Sequence, residues 1–218
     1  NAPIQGSAAE IMRLAMIRLN KKIKNIKIKM LLQIHDELIF EVPNNEAKNL
    51  CEVIKEEMIS IVSIKGPADF KGPMRPSTEW RFHRALYQRG DVGAVIHFHS
   101  PYATALAMTR QPIPASHYSI AAFGGSSVEV ADYACYGTAA LAQNVVKAMD
   151  KRVACLIANH GALVVAETIE AALARAEMLE ALAKYHVISL QIGGPVLLSD
   201  ADIQETIQAN ASYKFGAD

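Results

Sequence analysis

An α/β fold, with a mixed sheet covered by helices and a helix, hairpin and helix ahead of it, is predicted by three observations. Short runs of Val, Ile, Leu and Ala alternate with longer Ala/Leu-rich segments of helical spacing. Gly66-Pro67 and Gly72-Pro73 punctuate the chain early. Beyond them the composition becomes Ala-rich with few lysines.

The first part reads in order. Ser7 and Glu10 form a capping box, and Ala8, Ile11, Met12, Ala15 and Leu19 recur at helical spacing, so a helix is expected from about Ser7 into the lysines at Lys21, Lys22 and Lys24. Residues 30–34 and 38–42 read as strands around His35-Asp36-Glu37, closed by Pro43. Asn44-Asn45 then cap a second helix whose buried stripe is Ala47, Leu50, Ile54 and Met58. A seam is expected between residues 59 and 71, giving a first segment of 1–64 and a second of 65–218 that pack separately or as one core.

The second part alternates. Pro76-Ser77 opens a helix, 92–98 is a strand, Ser100 caps a helix, and Thr138 caps another. Residues 153–158 form a buried strand, 162–166 its return, 168–190 a long Ala/Leu helix, and Ser199 caps the last helix.

With 218 residues, 51% of them hydrophobic and 20% charged, the chain can bury a full core. A formal net charge of +0 gives no general field for nucleic acid or anionic membrane, and neither is expected as a partner. Apolar stretches break well short of the roughly 20 residues needed to span a bilayer, and the first residues carry no signal-like pattern. A cytoplasmic location is therefore expected. Cys51, Cys135 and Cys155 are odd in number and lack Cys-x-x-Cys spacing, so they read as reduced thiols. The chain opens on Asn1 without an initiator Met, as expected of a piece of a longer polypeptide.

His97 and His99 lie two apart in an expected strand and so face one side, with Cβ atoms about 7 Å apart at roughly 3.3 Å per residue. Both imidazoles can reach one ion. His160 follows the strand at 153–158 and precedes Gly161, where a tight turn can project the third ligand. Three neutral imidazoles leave a tetrahedral zinc with one face open. His83, His117 and His186 have no second ligand at usable spacing and read as structural.

Two resemblances follow from quoted residues. Asn1-Ala-Pro-Ile-Gln-Gly-Ser-Ala-Ala-Glu-Ile, followed by Gln33-Ile-His-Asp-Glu-Leu, is very similar to the last part of a family A (bacterial DNA polymerase I-like) polymerase palm, over roughly the first quarter of the chain. That resemblance implies a metal-holding Asp36, a His35 near the primer terminus, and nucleic-acid contacts from Asn1 and Gln5. Phosphoryl transfer by two metals needs carboxylates from separate elements. Asp36 and Glu37 are neighbours that a regular strand would point to opposite faces, and no partner aspartate or nucleotide-binding fingers follow. No polymerase activity is expected.

Pro76-Ser-Thr-Glu-Trp-Arg-Phe-His83, His97-Phe-His99-Ser-Pro, His117-Tyr-Ser-Ile-Ala-Ala-Phe-Gly-Gly125, Tyr136-Gly-Thr138 and Asn159-His-Gly161 together resemble the fuculose-phosphate branch of the class II aldolases, over roughly the last two thirds. This implies zinc held by His97, His99 and His160, and Glu79 beside the metal as proton carrier. It implies Tyr118 as the acid-side tyrosine, and Tyr213 as a second tyrosine that reaches a neighbouring subunit of a homo-oligomer, a tetramer in that family. It also implies Ser77 and Thr78 as part of a phosphate pocket. A Lewis-acid metal then does the work of a Schiff-base lysine in cleaving a carbon–carbon bond of a ketose phosphate. The family's early Gly-Asn loop, which helps hold phosphate, is absent from this sequence. The expected function is a zinc-dependent aldolase scaffold, impaired by its replaced beginning. The alternatives are a non-catalytic chimera that folds and binds zinc, or a nucleic-acid-binding polymerase piece fused to it.

Overall fold

The computed structural model describes residues 21, 23, 29–34, 37–41, 47–58, 61–65, 69–71 and 76–212. Backbone packing divides the chain into two units, Asn1–Ser77 and Thr78–Asp218. The helix expected from Ser7, together with Asn1, Gln5, His35, Asp36, Asn44, Asn45 and Tyr213, lies outside the described residues.

In the first unit, β1 (Lys29–Ile34) pairs antiparallel with β2 (Glu37–Glu41), Lys29 opposite Glu41 and Ile34 opposite Glu37, with one irregularity between Met30 and Leu32. Glu37 is thus the first residue of β2. The helix α1 (Ala47–Met58) follows, and β3 (Ile61–Val62) pairs with β4 (Phe70–Lys71). Of the expected stripe, Leu50 is buried and Ile54 half-buried, whereas Ala47 is exposed. A methyl group at the helix start has little apolar area to lose.

In the second unit, α2 (Trp80–Tyr87) leads to β5 (Ala94–Phe98), α3 (Pro101–Thr109) and a 3-10 helix (Tyr118–Phe123). Then come β6 (Val130–Ala131), α4 (Ala139–Ala148), β7 (Ala154–Ile157), β8 (Gly161–Ala166), α5 (Ile169–Gln191) and α6 (Asp200–Ser212). The sheet order is β5-β8-β7-β6, antiparallel except for the parallel pair of β6 and β7. It is the mixed sheet that the alternation predicts.

Every residue of β7 and β8 is buried, as Val, Ile, Leu and Ala at both parities require. Alternation sorts them. Ala154, Leu156, Ala162 and Val164 pack with α3, α5 and the 3-10 helix through Leu106, Leu179 and Phe123. Cys155, Ile157, Leu163 and Val165 face the other way, onto α2 and α4 through Phe82, Leu86, Leu141 and Val145. Helices therefore cover both sheet faces.

Helices begin on capping side chains in three places, of which Thr138 and Ser199 are the expected caps. The Thr138 hydroxyl accepts from the Leu141 amide at 3.2 Å, and Thr168 accepts from Ala171 at 3.2 Å, each worth about 1 kcal/mol. Ser199 and Asp202 cap each other at the start of α6. Two expectations change. The helix expected from Pro76-Ser77 begins at Trp80, after a turn at Thr78-Glu79 that carries the chain into it. Ser100 occupies the N-cap of α3, but its side chain accepts no helix amide there. It donates instead to Glu180.

Cys155 sits in β7, fully buried, and burial pushes its thiol up to about 12. Cys51 and Cys135 are exposed. Iodoacetamide should label Cys51 and Cys135 in the native protein and reach Cys155 only after denaturation, as read by peptide mass spectrometry. Native labelling of Cys155 as fast as Cys135 would contradict two-sided coverage of the sheet.

Candidate metal centre

Val95, His97 and His99 share one parity of β5 and its extension, the parity that faces α2 and α4. The His97 ring meets Phe82 of α2 edge-on at 5.3 Å and His99 at 4.6 Å. Glu79 precedes the first residue of α2, so the turn at Thr78-Glu79 delivers a carboxylate to that same side. His160 comes from the turn between β7 and β8, and its ring lies 4.9 Å from His97 and 5.0 Å from His99. One ligand atom from each of Glu79, His97, His99 and His160 falls within 4.8 Å of every other.

The turn at His160 does not work as its sequence suggests. Gly161 is the first residue of β8, while Asn159 takes the left-handed conformation at φ 55°. Asparagine tolerates that region. Gly161 is needed for space: a Cβ there would lie 2.5 Å from the Phe98 carbonyl oxygen and 2.6 Å from Cδ2 of the His99 ring. The glycine lets one ligand strand close on another.

Donor chemistry fits a cation. The His97 Nδ1 lies 2.9 Å from the Ala162 carbonyl oxygen, which can only accept, so Nδ1 carries a hydrogen and the Nε2 lone pair is the ligand. That Nε2 sits 3.0 Å from Glu79 Oε2, and His160 Nε2 sits 3.2 Å from Glu79 Oε1. Atoms that all bear lone pairs converge here, an arrangement that a shared divalent ion satisfies. Burial lowers the pKa of His99 and of His160, which favours the neutral imidazole that a metal needs. Burial raises the Glu79 carboxyl, but in the protonated, metal-free form of the histidines the hydrogen bond from His97 and the charges of His97, His160 and His99 outweigh that and hold it below its ordinary value. Glu79 is buried, His97 and His160 half-buried, and His99 exposed, so the cluster opens on the His99 side.

The remaining expected residues fall around this cluster unevenly. Ser77 and Thr78 are exposed in the segment entering α2. Gly137 packs its backbone against Thr78, and Arg81 donates to the Gly137 carbonyl at 2.6 Å, which ties the Tyr136-Gly-Thr138 motif to the entry of α2. Tyr118 is exposed at the start of the 3-10 helix with its ring stacked on His117 at 4.7 Å. His83 stacks on Phe82, and burial lowers it to about 4. His117 caps the 3-10 helix, accepting from the Ser119 amide, and His186 is buried in α5. The Ala162 carbonyl that fixes the His97 tautomer was not readable from side-chain identity; only strand register places it there.

Comparison with known proteins accords with this geometry. Residues 45–187 match the Class II Aldolase and Adducin N-terminal domain, and residues 1–78 match DNA polymerase family A. The chain is 40% identical over 154 residues to a 5-methylthioribulose-1-phosphate/5-deoxyribulose-1-phosphate aldolase of Rhodospirillum rubrum, covering 70% of each. It is 41% identical over 155 residues to an L-fuculose phosphate aldolase of Escherichia coli, covering 70% of this chain and 72% of that one. Its first part is 51% identical over 69 residues to DNA polymerase I of Caldicellulosiruptor bescii, which is 31% of this chain and 8% of the polymerase. A solved L-fuculose 1-phosphate aldolase superposes with a TM-score of 0.68 at 34% identity, over 91% of this chain and 96% of that chain.

Gly161→Ala should displace His99 and weaken any metal bound there, besides costing about 1–3 kcal/mol of stability through overpacking. Urea unfolding and metal titration check the two effects separately; a variant as stable and as metal-competent as the parent removes the close-approach argument.

The chain is a member of the class II aldolase family joined to an N-terminal segment of family A polymerase type.

Proposed function

We propose that this chain is a zinc-dependent class II aldolase that cleaves or forms a carbon–carbon bond in a ketose phosphate such as fuculose 1-phosphate, with weakened hold on the phosphate. The carrying observation is the convergence of Glu79, His97, His99 and His160 within 4.8 Å. The names of the aldolase relatives support a sugar-phosphate substrate. His97, His99 and His160 would hold the metal, and Glu79 would flank it.

A divalent metal held there supplies Lewis-acid stabilisation of the negative charge that develops on oxygen as the bond beside a carbonyl breaks. The chain's residues do the rest. In cleavage, the hydroxyl of the carbon that becomes the aldehyde gives up its proton, the ionised Glu79 carboxylate takes that proton up, and the bond's electron pair passes to the carbonyl-bearing piece. The carboxyl of Glu79 then returns the proton to the carbon that received the pair and is left ionised again. Tyr118 and Tyr213 are the candidates to serve the aldehyde oxygen. Ser77 and Thr78, with the N-terminus of α2, are the candidates for the phosphate.

The polymerase-type match over residues 1–78 favours a second reading, a folded chimera that binds metal without turnover. We place the seam between residues 59 and 71, inside the stretch 45–78 that both family matches share. Self-association is supported by exposed apolar side chains at Leu173, Tyr185, Ile192 and Val196. Among the described residues no helix is long and apolar enough to cross a membrane.

Metal analysis after dialysis should find about one zinc per chain, lost in His99→Ala and kept in Glu79→Gln, while aldol cleavage is lost in both. Zinc retention by His99→Ala equal to the parent would refute the ligand set. Zinc retained by the parent with no cleavage at any substrate concentration selects the non-catalytic chimera.

Phosphate affinity gives a further test. Two lost charge-assisted contacts at about 1.5–3 kcal/mol each should raise KM by roughly two to four orders of magnitude, with tenfold per 1.4 kcal/mol. Steady-state kinetics that saturate at micromolar sugar phosphate would show that another segment furnishes the phosphate site, with the lysines of the stretch 21–29 the first to substitute.

A further inference from the structure

We infer that α3 is the spacer that fixes the separation of His99 and His160, with Glu180 as the positioning residue at one end and the Arg110–Asn159 contact at the other. The inference rests on the metal-site reading above.

Helix α3 begins at Pro101, two residues after His99, and its first amides are held by a side chain from another helix. Glu180 of α5 accepts from the Tyr102 amide at 2.9 Å through Oε1 and from the Ala103 amide at 2.8 Å through Oε2. The Ser100 hydroxyl donates to the same Oε2 at 2.5 Å. A carboxylate at a helix N-terminus is favoured by the helix dipole, and charge-assisted bonds to three donors on Ser100, Tyr102 and Ala103 leave the entry little freedom. The backbone just after His99 is thereby pinned to α5.

The far end reaches the other ligand turn. Arg110 closes α3 in the left-handed region at φ 56°, and its Nε donates to Asn159 Oδ1 at 2.7 Å. The Asn159 amide donates to the Ala107 carbonyl at 3.0 Å. Asn159 is itself left-handed and immediately precedes His160. Ala103, Leu106 and Ala107 are buried between these ends, so the helix cannot shift along its axis without opening the core. A change at either end therefore moves one ligand loop relative to the other.

The probe is Co2+, added to metal-free protein, with affinity taken from competition against a chelator and site geometry from the d–d absorption bands. Thermal melting of the metal-free protein is recorded alongside. Glu180→Gln keeps the shape but loses the charge and one acceptor; it should weaken Co2+ about 10- to 100-fold, the usual span for groups that orient ligands, and alter the bands. Arg110→Met acts on the opposite end and should do the same to a smaller degree. Ser199→Ala, which removes the cap of α6, should lower the melting temperature and leave the Co2+ affinity and spectrum unchanged. If Glu180→Gln does not fold, Arg110→Met decides alone. Co2+ affinity and bands equal to the parent's in the deciding variant overturn the spacer role while leaving the metal site intact. A parent that binds no Co2+ overturns both.

Discussion

Strands β7 and β8 are buried at every position, and that two-sided burial organises the aldolase-type unit. A strand that sees no solvent must have a packed layer on each face, because neither set of alternating side chains can be left in water. Helices α3 and α5 cover one parity and α2 and α4 the other. The same alternation continues through β5, where register sets His97 opposite Leu163 and so sends His97 to the α2 side. The ligand cluster follows from the packing that builds the sheet.

Placing the cluster at that edge of the core carries an electrostatic cost. A buried carboxylate and three imidazoles brought within a few ångströms give up water, and like groups among them oppose one another. The structure offsets part of this through one directed bond, from His97 Nδ1 to the Ala162 carbonyl, which holds the ring in one tautomer. Exposure of His99 leaves one side of the cluster open.

Two ancestries share one chain. The polymerase-type match ends at residue 78 and the aldolase-type match begins at 45, and Glu79, His97, His99 and His160 all lie beyond the overlap. The cluster of Glu79, His97, His99 and His160 is therefore built wholly from the unit Thr78–Asp218. The polymerase-type match runs through Ser77 and Thr78 and stops one residue before Glu79.

Much of this was determined by the sequence itself. The main strands and helices of the second unit, the caps at Thr138 and Ser199, and the common face of His97 and His99 follow from local rules of period two, helical spacing and side-chain capping. Those rules involve neighbours within a few residues, which is why they can be read along a chain. Tertiary structure decided what depends on distant partners. It gave the left-handed turn to Asn159 and used Gly161 for clearance against His99, because the conflict there is with a strand some sixty positions earlier. It moved the capping of α3 from Ser100 to Glu180, because a carboxylate from α5 reaches the same amides and carries the charge that the helix end favours. Contacts across long sequence separations have no period, and only the folded chain can assign them.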